Sequence, residues 1–342
     1  MPALPFRNSV HFSQEEAYDL MRKMLSGDVD TQQISGTLRY LRRKGETVAE
    51  VVGFALAIRD MSQPVFSPKG EQAFLDTCGT GGDDAHTFNI STAAAFVAAG
   101  AGLAVAKHGN RKISSRCGSA DVLEALGVPT TLTPEQTGDC IRQIGIGFLY
   151  APALHPGMAH VQEARRSLLG RTVFNLLGPL TNPVRAHVQL IGAYSVRAAE
   201  VLAQAAARLG VERAFVVHGS DGLDEITTTG LTTVFQVEER RVQKGRWHPA
   251  DFGVATATAE DLGGGDVEEN AGIIRRILDG EAGPKRDIVV VNAAAALLCA
   301  QKVGDLKSAV ALAMESIDSG AARRKLEQLA EYVKEIPAHE SV

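Results

Sequence analysis

The sequence contains few cysteines, few aromatic residues and no long apolar run. Its 342 residues include four cysteines, none of them at metal-ligand or Cys-x-x-Cys spacing: Cys78, Cys117, Cys140 and Cys299. Reduced thiols are therefore expected, as in most cytosolic proteins. We also expect no secretory leader and no membrane-spanning segment. These absences favour a cytoplasmic protein.

An excess of positive charge is also missing. The chain carries 35 Lys and Arg against 40 Asp and Glu, which gives a formal net charge of -5 at pH 7. We therefore expect neither nucleic acid nor a membrane surface as a partner. Any phosphate site must be a local cluster of donors on an acidic protein.

The first part of the chain has the pattern of a helical domain. Three residue pairs have the spacing of a capping box, each followed by apolar residues at helical intervals: Ser13–Glu16, Asp30–Gln33 and Thr47–Glu50. Residues 1–70 are expected to form a small all-helical domain, joined by part of residues 160–185.

The remainder, residues 71–342, alternates between strand-like and helical segments. Strands are expected at Ala73–Thr77, Leu103–Lys107, Gly147–Tyr150, Val188–Ala193, Arg213–His218 and Asp287–Val291, with an antiparallel excursion within Leu231–Trp247. Alternation predicts an α/β domain whose mostly parallel central sheet is flanked by helices, with ligands at the carboxyl ends of the strands. Gly263–Gly265 is expected to be a flexible surface turn, and a phosphate loop is the less favoured alternative there.

Two segments after predicted strands have the composition of phosphate sites. Gly79–Asp83 is rich in glycine and leads to Asn89, Ser91 and Thr92 at a predicted helix start. Glycines allow backbone N–H groups to converge on an anion, and a helix N-terminus adds a positive dipole. A tight structural turn is the alternative for the glycines alone. The helix start favours phosphate binding.

The second such segment begins at the end of the Leu103–Lys107 strand. Lys107 and Arg111 bracket a glycine turn, and serines follow at positions 114, 115 and 119. Together these residues form a donor-rich surface, whereas a single Lys or Arg is usually solvated. Two adjacent phosphate sites indicate a substrate with more than one phosphate group.

Carboxylates and arginines complete the candidate site. Asp224–Glu225 follows the Arg213–His218 strand, where a carboxylate pair suits magnesium, although such pairs are usually surface residues. His155 is followed by Arg165 and Arg166, and a guanidinium can bind a carboxylate through two parallel hydrogen bonds. Arg166 is expected to be solvated, since adjacent helical residues point about 100° apart.

These motifs together resemble those of the anthranilate phosphoribosyltransferases. The resemblance covers most of the chain in the family's order, through DTCGTGGDDAHTFNIST at residues 76–92, KHGNRKISSRCGSADVLEALG at 107–127, HPGM at 155–158, RTVFNLLGPLTNP at 171–183 and DGLDEIT at 221–227. It implies a magnesium-dependent glycosyltransferase of tryptophan biosynthesis. Such an enzyme transfers the 5-phosphoribosyl group from phosphoribosyl pyrophosphate (PRPP) to anthranilate and is a homodimer through its helical domain.

The resemblance also implies the site residues. For PRPP they are Gly79, Gly82, Asp83, Thr87, Asn89, Ile90, Ser91, Thr92, Lys107, His108, Gly109, Asn110, Arg111, Lys112, Ile113, Ser114, Ser115 and Ser119. For anthranilate they are Gly79, Asn110, His155, Arg165 and Gly178, and for two Mg²⁺ ions per subunit Ser91, Asp224 and Glu225. No obligate general base is expected, because the aromatic amine is neutral and already nucleophilic.

The sequence departs from the family pattern at two positions, and there are two alternative hypotheses for its function. Asp84 stands where the family has a small residue, and Gly170 comes one place late before Arg171. A pyrimidine nucleoside phosphorylase would have a related fold but would use inorganic phosphate. A non-catalytic binding module is the third hypothesis, and a basic surface would favour it.

Overall fold

The N-terminal helices begin at the predicted capping residues. The computed structural model describes residues 11–65, 73–83, 85–111 and 117–335. Its first helices are α1 (Gln14–Leu25), α2 (Thr31–Lys44) and α3 (Val48–Asp60). In all three capping boxes the N-cap side chain accepts the backbone N–H of the third helical residue, and the side chain of that residue accepts the backbone N–H of the N-cap residue. This confirms the three predicted helix starts.

The described part of the chain contains one seven-stranded sheet in the order β3-β2-β1-β4-β5-β6-β7. Its strands are β1 (Phe74–Gly79), β2 (Ala104–Gly109), β3 (Ile146–Tyr150), β4 (Val188–Gly192), β5 (Arg213–Gly219), β6 (Thr232–Glu238) and β7 (Arg241–Trp247). Neighbours from β3 to β5 are parallel, whereas β6 and β7 add antiparallel strands at one edge. This confirms the mostly parallel sheet and the antiparallel excursion.

Helices cover both faces of the sheet. They are α4 (Ile90–Gly100), α5 (Ser119–Ala125), α6 (Pro134–Ile144), α7 (Ala151–Leu154), α8 (Ala159–Arg166), α9 (Val173–Leu177), α10 (Val196–Arg208), α11 (Val267–Leu278), α12 (Pro284–Cys299), α13 (Leu306–Asp318) and α14 (Ala321–Glu335). One core is built around α4 and α12, a second joins α10 to the N-terminal helices, and a small third cluster includes Phe74, Ala106 and Leu149. The short helices α8 and α9 pack on α1, α2 and α3.

The strand predicted at Asp287–Val291 is wrong. These residues lie in α12, where Ile288 to Val291 are almost completely buried and α12 packs on α4 and α13. A short β-branched run that is apolar on all sides has no periodicity to distinguish a strand from a buried helix. Pro284 at the helix start was the local signal for the correct assignment.

The prediction of a surface turn at Gly263–Gly265 is also wrong. Gly263 pairs with Thr87 in an isolated β-bridge, and Gly265 is buried with its N–H donated to Asn270. A Cβ atom at Gly264 would lie 2.5 Å from the backbone nitrogen of Phe88. The glycines thus allow close packing against the segment that leads into α4.

Two further findings concern membrane-spanning helices and the cysteines. None of the described helices combines the length and the apolar character that crossing a bilayer requires. All four cysteines are free thiols, and burial raises the pKa of Cys140 to about 11.

Candidate active site

The strand order creates a topological switch point between β1 and β4. From β1 the chain crosses to β2 on one side and later returns to β4 on the other. Gly79 at the end of β1 pairs with Gly192 at the end of β4. In open α/β sheets, ligands bind in the crevice at such a switch point. The predicted glycine loop, residues 79–83, begins at this position.

The glycine loop is anchored to the end of β4 and to the loop that follows β5. Thr80 donates its N–H to the Gly192 carbonyl at 2.9 Å. Gly81 donates its N–H to Asp224 Oδ2 at 2.7 Å. Gly81 and Gly82 have φ values of 64° and 73°, a region that favours glycine. The loop therefore lies directly beside the predicted carboxylate pair.

Asp224 and Glu225 are a half-buried carboxylate pair. Glu225 Oε1 accepts the N–H of Ser91 at the start of α4 at 3.1 Å, so the three predicted metal residues are brought together. Burial and mutual repulsion raise the pKa of Glu225, and burial with repulsion from Asp83 raises that of Asp224. A divalent cation would relieve this repulsion.

The composition of the pair indicates which cation fits. No group of three or more His, Cys, Asp or Glu side chains within the described ranges forms a metal site. Magnesium is commonly held by one or two carboxylates together with substrate phosphates. The pair therefore suits Mg²⁺ that arrives with a phosphorylated substrate.

Close packing against Asp224 explains two glycines, Gly79 and Gly192, of which the second was not predicted from the sequence. A Cβ atom at Gly79 would overlap the Asp224 carboxylate, and one at Gly192 would overlap the Asp224 carbonyl. Glycine at the end of a strand, in a position that faces another loop, was the signal for Gly192.

Gly192→Ala is expected to displace the carboxylate pair. Overpacking of this kind typically costs about 1–3 kcal/mol, so the free energy of unfolding should fall by that amount and turnover should fall with it. Gly36→Ala in α2 is the control, because nothing lies within 4 Å of its Cβ position and Ala favours the helix. Urea unfolding of both variants tests this, and a wild-type midpoint for Gly192→Ala would contradict it.

The Lys107 side chain contacts β1 and the start of α4 from the protein interior. Its ammonium group is buried and donates to the Thr77 carbonyl, to Thr77 Oγ1 at 3.3 Å and to Ser91 Oγ at 3.2 Å. It also lowers the pKa of Glu225 by attraction. The structure thus places Lys107 as a fixed positive charge behind the start of α4.

Other residues of the second segment are bound to their own loop. Ser119 Oγ bonds the backbone N–H and carbonyl of Asn110, both at 3.2 Å. Arg111 is exposed and forms a bidentate ion pair with Glu124 at 2.8 and 2.6 Å. The structure therefore does not bring the Arg111 guanidinium to the carboxylate pair. Four predicted residues and one departure lie outside the described residues: Lys112, Ile113, Ser114, Ser115 and Asp84.

Two of the predicted residues around the start of α4 are fully buried and the others are half-buried. Asn89 makes no side-chain cap and instead accepts a hydrogen bond from Asn270 at 3.2 Å. Ile90 and Thr92 are each 1% exposed. Thr87, whose backbone pairs with Gly263, is half-buried, as are Asn89 and Ser91. Ile90 and Thr92 can therefore offer only backbone groups to a ligand.

His108 and His155 form a buried pair of side chains. Their Nε2 atoms are 3.2 Å apart, and His108 Nδ1 is 3.1 Å from the Gly178 carbonyl. Since a carbonyl only accepts, His108 carries its proton on Nδ1, and His155 Nε2–H donates to His108 Nε2. His155 Nδ1 is then a buried acceptor without a partner among the described residues. Burial lowers the pKa of His108 to about 4 and that of His155 to about 3.

The two neutral histidines predict a pH effect on stability. Below pH 6.5 the unfolded chain protonates them and the folded chain does not, so each removes about 1.4 kcal/mol of stability per pH unit. His155→Gln should therefore gain stability relative to wild type as the pH falls from 6.5 to 4. The difference between the two proteins is informative because Asp76, whose pKa is raised to about 6, acts in the opposite direction. Unfolding free energies at pH 7, 6 and 5 test this, and a constant difference would contradict it.

Arg165 is a half-buried guanidinium at the end of α8. It lies 4.7 Å from the centre of the Phe174 ring, and burial lowers its pKa to about 10, so it remains charged at neutral pH. No carboxylate of the described ranges forms an ion pair with it. Arg166 is exposed. Arg165 is therefore suited to an anionic ligand, whereas its neighbour is solvated as expected.

A buried polar network below the site was not assigned any role from the sequence. Asp76 Oδ1 accepts the backbone N–H of His108 at 3.0 Å, and Asn182 Nδ2 donates to Asp76 Oδ2 at 2.9 Å. Asn182 also donates to the Ala106 carbonyl at 2.8 Å. An acidic residue in the middle of an otherwise apolar strand was the available signal. The network fixes the end of β2, where the second segment begins.

Comparisons with known proteins agree over nearly the whole chain. The model described as "Glycosyl transferase family, a/b domain" matches residues 71–323, and "Glycosyl transferase family, helical bundle domain" matches residues 6–62. The anthranilate phosphoribosyltransferase of Solibacter usitatus is 57% identical over 323 residues, which are 94% of this chain and 95% of that protein.

Solved structures show the same similarity. The anthranilate phosphoribosyltransferase of Thermus thermophilus is 43% identical, with a TM-score of 0.90, and the match covers 95% of this chain and 97% of that one. The Saccharomyces cerevisiae enzyme in complex with PRPP and Mg is 30% identical, with a TM-score of 0.86 and coverage of 95% and 94%. The latter enzyme was also solved with 4-fluoroanthranilate.

Proposed function

Since the chain belongs to the anthranilate phosphoribosyltransferases, we propose that the β1–β4 switch point is where it joins anthranilate to PRPP. The protein is a glycosyltransferase of tryptophan biosynthesis, and its products are N-(5-phosphoribosyl)anthranilate and pyrophosphate. The observation that carries the proposed site is the contact between the Gly81 N–H and Asp224, because it places the phosphate loop beside the carboxylate pair.

We propose that the glycine loop and the start of α4 hold the pyrophosphate group of PRPP. The N–H groups there and the α4 dipole provide the donors that an anion requires. The S. cerevisiae enzyme was solved in complex with PRPP and Mg, which supports PRPP as the ligand. For the full set of PRPP-binding residues, we propose the residues that the family resemblance implies.

Magnesium would be held by Ser91, Asp224 and Glu225, and we propose two ions per subunit. When bound, Mg²⁺ neutralises the negative charge that gathers on the departing pyrophosphate. The chain's contribution is to orient the two carboxylates through the N–H groups of Gly81 and Ser91, whose hydrogen bonds partly offset the burial that raises the pKa of each carboxylate. The buried charge of Lys107 assists Glu225 in the same way.

Anthranilate is proposed to bind with its carboxylate on Arg165, beside Asn110, His155 and Gly178. A guanidinium without a carboxylate partner in the described ranges can hold that group through two hydrogen bonds. Orientation of the neutral amine toward C1 of the ribose supplies much of the remaining acceleration. We therefore propose direct displacement with inversion at C1 and no covalent enzyme intermediate.

A fluorescence assay of anthranilate consumption tests the function. Consumption is expected only when PRPP and Mg²⁺ are both present, with one pyrophosphate released per anthranilate. Absence of consumption would overturn the proposal. Phosphorolysis of thymidine or uridine, run in parallel, would instead identify a nucleoside phosphorylase, and a gel shift at physiological salt would identify a nucleic-acid-binding module.

Three further features belong to the same proposal. We propose that residues 1–70, with part of 160–185, form the helical domain and residues 71–342 the α/β domain. Packing of α8 and α9 on α1, α2 and α3 supports that division. A homodimer through the helical domain and a cytoplasmic location are proposed on the family resemblance.

A further inference from the structure

Arg171 contacts the glycine loop from the side of the short helix α9. Its Nε donates to the Gly82 carbonyl at 2.8 Å, and its Nη2 donates to the same oxygen. The guanidinium also lies 4.7 Å from the centre of the Tyr194 ring. The side chain is thus fixed between an aromatic ring and one carbonyl of the loop.

Asn175 donates a hydrogen bond to a second carbonyl of the same loop. Its Oδ1 accepts the N–H of Thr172, which caps α9, at 3.0 Å. That contact fixes the orientation of the amide, so Nδ2 must be the group that faces the Thr80 carbonyl, at 3.3 Å. One short segment therefore holds two carbonyls of the glycine loop.

Peptide geometry converts these contacts into an orientation of the loop's N–H groups. In a trans peptide the C=O and the next N–H point in opposite directions. The Thr80 carbonyl faces Asn175, and the N–H of the same peptide, on Gly81, faces Asp224. By the same rule, the Gly82 carbonyl on Arg171 directs the Asp83 N–H away from Arg171.

The Asp83 N–H remains available to a ligand, whereas the Gly81 N–H is donated to Asp224. Within the described ranges, neither Gly82 nor Asp83 donates its N–H to a protein acceptor. Both residues are half-buried. Partly desolvated backbone donors of this kind bind phosphate oxygens.

We propose that Arg171 and Asn175 are positioning residues for the PRPP subsite. Arg171 holds the Gly82 carbonyl on the α9 side and thereby leaves the Asp83 N–H for a phosphate oxygen, whereas Asn175 holds the Thr80 carbonyl and thereby keeps the Gly81 N–H on Asp224. This inference rests on the proposed function. It adds a link between the subsite and the segment that follows Arg165, because Arg171 lies six residues beyond that arginine.

Arg171→Met tests the inference because it keeps the alkyl stem and removes the donors. The dissociation constant for PRPP with Mg²⁺, measured by titration calorimetry, is expected to rise about tenfold or more. The KM for PRPP should rise with it, while kcat and the KM for anthranilate at saturating PRPP change little. Arg171→Lys should recover part of the affinity. Arg208→Met, which removes an exposed arginine from α10, is the matched control and should bind as wild type does.

Asn175→Asp is the second variant and is designed to preserve the fold. Its carboxylate can still accept the Thr172 N–H and cap α9, but it cannot donate to the Thr80 carbonyl. A severalfold rise in the KM for PRPP with an unchanged melting temperature is expected. A purely structural role would lower the melting temperature and leave both KM values unchanged, which would overturn the inference.

The same titrations separate this inference from the proposed function. If wild type forms the product and binds PRPP, but both variants bind PRPP equally well, the positioning role is wrong and the function stands. If wild type binds no PRPP in the presence of Mg²⁺, both are wrong.

Discussion

Replacing Asp224 by Asn together with Glu225 by Gln is expected to reduce kcat/KM about a hundred- to thousandfold. Removing one electrostatic contact to the charge that develops in the transition state typically reduces the rate by this factor. Both amide side chains keep an oxygen for the N–H groups of Gly81 and Ser91, so the loop contacts can survive while the charge is lost. Rates measured over a Mg²⁺ titration test this, and a normal magnesium response would exclude the pair from the metal site.

The same double variant is expected to be more stable than wild type when magnesium is absent. A carboxylate whose pKa is raised in the folded state lowers stability at every pH above its unfolded value of about 4. The neutral amides do not carry that cost, so their advantage should grow as the pH rises from 4 toward neutrality. Melting temperatures in EDTA at pH 4 and pH 7 test this. Glu212→Gln, an exposed carboxylate before β5, is the control.

Arg165→Ala is expected to raise the KM for anthranilate about ten- to hundredfold. A hydrogen-bonded charged contact of this kind is worth about 1.5–3 kcal/mol. The KM for PRPP should remain near its wild-type value, because the pyrophosphate binds at the glycine loop. Steady-state kinetics with each substrate varied in turn provide the measurement.

Arg166→Ala is the matched control for this prediction. It removes the same charge from the adjacent residue of α8, but its side chain is exposed. Unchanged anthranilate kinetics are expected for Arg166→Ala. If both variants behaved alike, or if Arg165→Ala had no effect on anthranilate, the assignment of the carboxylate to Arg165 would be wrong.

Local sequence signals were sufficient for most of the fold. Each capping box is contained in four residues, so Ser13, Asp30 and Thr47 marked their helices without tertiary information. Strand–helix alternation was enough to predict a parallel sheet. The Asp287–Val291 error arose because burial on all sides removes the periodicity on which such assignments depend.

The candidate site was predicted less completely, because its geometry depends on contacts across long sequence separations. Motifs identified the glycine loop and the carboxylate pair, and the structure brings them together. They could not show that Gly192 leaves room for the Asp224 backbone, or that Arg171 and Asn175 donate hydrogen bonds to the loop carbonyls. Nor could they show that Arg111 is ion-paired with Glu124.

The most direct test of the account is a crystal structure with Mg²⁺, PRPP and anthranilate bound. We expect the pyrophosphate against Gly79–Asp83 and the start of α4, a magnesium ion on Asp224 and Glu225, and the anthranilate carboxylate on Arg165. Pyrophosphate bound away from the β1–β4 switch point, with the glycine loop facing another direction, would contradict the account.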